Sequence, residues 1–128
     1  MAAEIDEEVA KFRQVQEDLN KVRNDLQIVL GQLAENEMVQ QELNLLDGNA
    51  NIYKMVGPVL IKNSHEDAKD TVKKRLEFIT SEKDRLETRA KDLEQKGMGI
   101  SQKVQQMQMA LQQATVAAVQ QIAQQHAS

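Results

Sequence analysis

Two histidines, a glycine pair and several charged runs are the residues of this 128-residue chain whose types could support catalysis or ligand chemistry. His65 and His126 could hold a metal ion or pass a proton. They stand far apart and neither has clustered acidic or cysteine neighbours, so neither role is expected. The chain contains no cysteine, which excludes disulfides and thiolate metal sites alike. Gly97-Met98-Gly99, in "KGMGIS", lacks the preceding strand and the Gly-Lys-Ser/Thr ending of a phosphate loop. The runs "EIDEE" and "VKKR" are expected to be solvated helix faces. No catalytic residue, cofactor or metal site is therefore expected, and the chain is not read as an enzyme.

What remains is the chemistry of apolar surface, and two stretches concentrate it. The first holds Ile52, Tyr53, Met55, Val56, Val59, Leu60 and Ile61 around Gly57-Pro58. The second is residues 104–125, which contain no charged residue but nine glutamines, interspersed with Met107, Met109, Leu111, Val116, Val119 and Ile122. Nine glutamines exclude a membrane span. Methionine is flexible and polarizable, which suits a surface that must accept many shapes.

Composition limits the scaffold that can carry these stretches. Aromatic residues make up 2% of the chain and charged residues 28%, and there is one proline. Large aromatic side chains supply much of the buried area of a compact core, so long, solvent-washed helices fit better than a globule. A net charge of −4 argues against a nucleic-acid partner. No apolar run approaches the roughly 20 residues that span a bilayer, so no membrane partner is expected. The opening "MAAEIDEEVAKF" is acidic and lacks the features of a signal peptide. A cytoplasmic location is the expectation.

Heptad spacing dominates both flanks. Ile5, Phe12, Leu19, Leu26 and Leu33 recur at steps of seven, with Val15, Val22 and Val29 three residues behind Phe12, Leu19 and Leu26. Alternating steps of three and four make a coiled-coil seam. The seam weakens at the polar Asn36 and Gln40 and resumes at Leu43. After the middle segment, Val72, Ile79, Leu86, Leu93, Ile100 and Met107 form one row. A softer row runs through Leu76, Lys83, Ala90, Gly97, Val104 and Leu111. Ser64 with Asp67 is the pattern of a helix N-cap with an acidic first turn. One helix is expected over about 4–46 and a second over about 65–125, with a soft spot at Gly97 and Gly99.

A helix with one narrow apolar seam needs a partner stripe, and the nearest is the other arm. The expected fold is mainly α: a long antiparallel two-helix coiled coil joined by a single β-hairpin, the whole of 1–128 forming one domain. Gly48 is expected to end the first helix as a left-handed cap, and the hairpin to occupy about 50–63. Pairing Leu46 with about Val72 and counting outward places Ile5 near residue 113, so that the chain beyond overhangs its partner. Val116, Val119 and Ile122 on the overhang, with Ile5, Val9 and Phe12 at a frayed start, are the candidate binding residues of that end.

An isolated two-stranded hairpin is marginal in water, and this one is too apolar for a free loop. It either packs on the base of its own coiled coil or pairs its open edges with hairpins of other chains. The second arrangement satisfies both edges and faces and is preferred.

Here the residues are similar to a known family. "ELNLLDGNANIYKMVGPVLIKN" followed by "VKKRLEFI" resembles the central signature of beta-type prefoldin subunits, over roughly residues 42–82. The layout of helix, single hairpin and helix is prefoldin-like and of the beta type; alpha-type subunits carry two hairpins. The resemblance implies a heterohexamer of two alpha-type and four beta-type subunits, with hairpins forming a barrel platform from which coiled coils hang. It implies capture of unfolded client proteins, actin and tubulin among them, at the far ends of those coils. Transfer to the group II chaperonin of the cytosol would follow without ATP. A structural coiled-coil adaptor that tethers fixed, folded partners is the alternative.

Overall fold

The computed structural model describes residues 2–127. Helix α1 spans Ala2–Leu45, strand β1 Ile52–Val56, strand β2 Val59–Asn63 and helix α2 His65–Ala127. The helices are 44 and 63 residues long, roughly 65 and 95 Å at 1.5 Å per residue. Both run slightly past the boundaries the periodicity suggests, except that α1 stops one residue early. α2 passes through Gly97-Met98-Gly99 as unbroken helix.

The stop of α1 differs from expectation. Gly48 does not take the left-handed conformation, since Gly57 is the one described residue with positive φ. Asp47 makes the turn instead. Its carbonyl accepts from Ala50 N–H at 2.9 Å and its carboxylate from Asn49 N–H at 3.4 Å. An aspartate that folds its side chain back on the backbone supplies a turn without left-handed geometry.

Gly57, at φ 59°, and Pro58 form the two-residue connection of the hairpin. Positive φ followed by proline's fixed negative φ is the sign pattern of a type II′ turn, whose twist matches that of paired strands. The antiparallel register runs from Val56↔Val59 to Ile52↔Asn63. One face therefore carries Ile52, Lys54, Val56, Val59 and Ile61, and the other Tyr53, Met55, Leu60 and Lys62. α2 starts where its cap dictates: Ser64 Oγ accepts from Asp67 N–H at 3.0 Å, and Ser64 carbonyl from Ala68 N–H at 3.0 Å.

Contacts group into two compact units, one made of residues up to Val22 and from Arg89 onward, the other of Arg23–Thr88. In the first, Ile5, Val15, Leu19 and Val22 of α1 are buried, as are Ala90, Leu93 and Gly97 of α2. The helices are antiparallel there: Val15 and Phe12 meet the Gly97 position, and Glu8 meets Lys103. In the second unit Leu43, Ala68 and Val72 form a small buried cluster, with Ile52 and Leu76 packed on it. Ile79 and Leu86 are buried in that unit as well, whereas Leu26, Val29, Leu33, Asn36 and Gln40 are only half-buried.

Candidate functional site

Most of the hairpin's apolar residues face solvent. Tyr53, Met55, Val56, Val59, Leu60 and Ile61 are each at least half exposed, Met55 most of all at 71%. Ile52 alone of the seven is drawn onto the chain's own helices. Of the hairpin's seven apolar residues, packing on the buried cluster of its own helices therefore reaches one, at the end of the sheet nearest the helices. Beside it lies an apolar recess of about 180 Å³, lined among others by Val39, Leu43, Ile52, Tyr53 and Val72. The sheet has two strands only, so both outer edges hold backbone groups with no ladder partner in the sheet.

The hairpin's base is fixed by a histidine. His65 Nε2 donates to the carbonyl of Leu43 at 2.5 Å. That carbonyl lies in the last turn of α1, where helix carbonyls lack partners. One side chain thus joins the end of α1 to the start of α2. A metal or proton role is not expected of His65 from the sequence; its structural role depends on a partner 22 residues away and shows only in the geometry.

At the other end of α2, the overhang is longer than the sequence count gives. Glu8 pairs with Lys103 and Val15 with Gly97, so counting outward puts Ile5 near residues 106–107. The expected position near 113 is off by about two turns. Leu111 is the last described residue that is even partly buried; those from Gln112 to Ala127 are exposed. Val116, Val119 and Ile122 stand 48%, 61% and 55% exposed on this segment. At 100° per residue they share about a third of the helix circumference.

The opposing start of α1 is not frayed. Ile5 is buried in the seam at 9% exposure, and helix begins at Ala2. Val9 and Phe12 are half-buried and line a recess of about 190 Å³ with Ser101 and Val104. The six candidate residues of this end thus divide into three open ones on α2 and three held within the seam.

Glu8 is the residue that reading by apolar type missed. It is 7% exposed and takes a seam position, three residues after Ile5 and seven before Val15. Its carboxylate accepts from Lys11 Nζ at 3.1 Å and from Lys103 Nζ on α2 at 3.2 Å. Those hydrogen bonds, Lys11's first and Lys103's second, hold its carboxyl below the usual glutamate value, against the upward push of burial. Step-of-seven spacing alone would have found it.

Among the described residues no three metal-ligating side chains cluster, and no helix is long and apolar enough to cross a membrane.

Comparison with known proteins agrees with this architecture. Residues 6–113 match the family model described as Prefoldin subunit. Prefoldin subunit 6 of Bos taurus is 42% identical over 110 residues, covering 86% of this chain and 85% of the relative. A probable prefoldin subunit 6 of Caenorhabditis briggsae is 38% identical over 122 residues, 95% of each chain. The crystal structure of the prefoldin beta subunit from Thermococcus strain KS-1 superposes with a TM-score of 0.79 at 23% identity. It covers 81% of this chain and 91% of its own. Two long helices around one two-stranded hairpin, matched in sequence along most of their length, make the chain a member of the prefoldin subunit family.

Proposed function

We propose that the chain is a subunit of an ATP-independent holdase that assembles through its hairpin and captures unfolded polypeptides at the far end of its helices. The observation that carries this reading is the placement of exposed apolar residues at opposite ends of α2, on surfaces of different chemistry. Near its start a hairpin offers six exposed apolar side chains and two open edges. Beyond Leu111 an uncharged helix offers Val116, Val119 and Ile122 among glutamines. Strand edges specify a fixed partner through backbone hydrogen bonds; spaced aliphatic side chains on a polar helix do not.

In this reading the hairpin joins alpha-type and other beta-type prefoldin subunits in a heterohexamer in the cytoplasm. Each contact with a client is weak, a few tenths to about 2 kcal/mol for partial burial of one side chain. Holding then comes from several coils gripping one chain, where tethering raises the effective concentration of every further contact. Weak contacts also permit release to a group II chaperonin without nucleotide. Actin and tubulin are the clients the family likeness suggests. The work is binding, with no bond made or broken, and needs no cofactor.

Light scattering of a denatured, diluted client with the assembled complex tests this. Suppressed aggregation at stoichiometric amounts is the expected result. A complex that binds folded partners but leaves aggregation unchanged is an adaptor, and would overturn the proposal.

A further inference from the structure

Gly97 and Gly99 sit within the unbroken α2 helix, and nothing in their surroundings calls for glycine. Neither has positive φ. A Cβ on Gly97 would meet Val15 Cγ1 at 3.5 Å, Phe12 Cε2 at 3.8 Å and Gln16 Nε2 at 3.9 Å, all ordinary contacts. On Gly99 it would meet nothing within 4 Å. Alanine would therefore fit both positions, and at Gly97 it would fill a seam site that is otherwise left without a side chain. Glycine in a helix interior is less favourable than alanine by about 1 kcal/mol, a fourfold to fivefold change in the local opening equilibrium. Two glycines within one turn compound to about 15- to 30-fold.

Before the pair the seam residues Ala90 and Leu93 of α2 are buried, whereas beyond it Ile100, Ser101, Val104 and Met107 are only half-buried, so the seam there is the weaker one. Val104, five residues after Gly99, shares a recess with Val9, Phe12 and Ser101. Glu8 and Lys103 make a cross-helix polar link there. From these observations we infer that Gly97 and Gly99 form a built-in opening point, at which the seam between the start of α1 and α2 beyond residue 97 loosens and releases Ile5, Val9 and Phe12 as further apolar surface. This deepens the proposed function: it makes capture depend on an opening step, and in that respect rests on the client-binding reading. The opening itself does not.

Hydrogen exchange by mass spectrometry on the full-length chain, alone and in its assembled complex, separates the two. Amides of residues 97–103 should exchange faster than those of residues 89–95. Gly97→Ala combined with Gly99→Ala should slow them about 15- to 30-fold. Gly31→Ala, at another helix glycine with open space around it, should leave residues 97–103 unchanged and controls for a general gain in helix stability. Uniform exchange along α2, or no slowing in the double variant, overturns the opening point. Client capture is then read on the same proteins. Weaker aggregation suppression by the double variant, with assembly intact, supports the link to capture. Equal suppression despite slowed exchange overturns that link. If the unmodified complex suppresses nothing, the proposed function fails while the exchange result still judges the opening point.

Discussion

Glu8 and Lys103, 95 residues apart in the sequence, meet at 3.2 Å across the seam of α1 and α2. A carboxylate in a coiled-coil seam would weaken it unless paired, and here two lysines satisfy it. Because Lys103 is the partner across the seam, the pair fixes which turn of α2 lies against the start of α1, which a repeating apolar pattern cannot do.

Glu8→Gln should lower the melting temperature near neutral pH. Since pairing depresses the folded-state pKa from its ordinary 4.5, the carboxylate's contribution is present above that value and is lost as pH falls through the lower folded-state value. The gap between the unmodified chain and Glu8→Gln should therefore be open at neutral pH and close in acid. Thermal melts across that range check it; a gap that widens on acidification would contradict the assignment.

Leu19, 3% exposed in the seam, should cost about 2–5 kcal/mol on truncation to alanine. Leu26 is only half-buried and should cost less, although it belongs to the same heptad row. Exposed Glu17 should tolerate alanine within about 0.5 kcal/mol. Denaturant titrations of the three variants give the ranking, and equal losses at Leu19 and Glu17 would mean the seam has been misplaced.

How much of this was legible beforehand differs by feature. Alternating steps of three and four revealed both helices and their apolar rows, because a seam that must stay continuous leaves a periodic trace. Gly57-Pro58 between β-branched runs revealed the hairpin for a local reason, turn chemistry. The pairing of the helices was misjudged by about two turns because heptads repeat: every seventh residue offers an equally good partner. The decision rests with the chain reversal, which seats Leu43 and not Leu46 beside Ala68 and Val72, and leaves Leu45 and Leu46 exposed. Glu8 and the His65–Leu43 link were invisible because each depends on a partner far away in sequence.

Ser64→Ala should remove the acceptor for Asp67 N–H and cost roughly 0.5–2 kcal/mol, the usual loss for a helix N-cap. His65→Ala, leaving the Leu43 carbonyl without its donor, should cost about 1–3 kcal/mol. Far-ultraviolet melts of the full-length chain would register both, and an unchanged midpoint in each would remove the caps from the account of why the hairpin sits where it does.

Val59→Asp with Ile61→Lys should leave helix content intact and block entry into the complex. Both side chains are half exposed on one face of the hairpin, so the chain itself can solvate the charges. A strand-paired interface cannot, and an unpaired buried charge costs far more than one edge supplies. Co-expression with sister subunits followed by size-exclusion chromatography decides; a normal complex containing the variant would rule out assembly through the hairpin.

The most direct test concerns Val116, Val119 and Ile122, exposed on the segment of α2 beyond Leu111. Replacing all three with glutamine keeps the helix, its length and its lack of charge, and removes only the aliphatic surface. The measurement is suppression of client aggregation by the assembled complex carrying the triple variant. With three contacts of about 1 kcal/mol each, the account predicts normal assembly and a loss of about a hundredfold in client affinity. Undiminished suppression would contradict it and place the binding surface elsewhere, most directly on the hairpin platform.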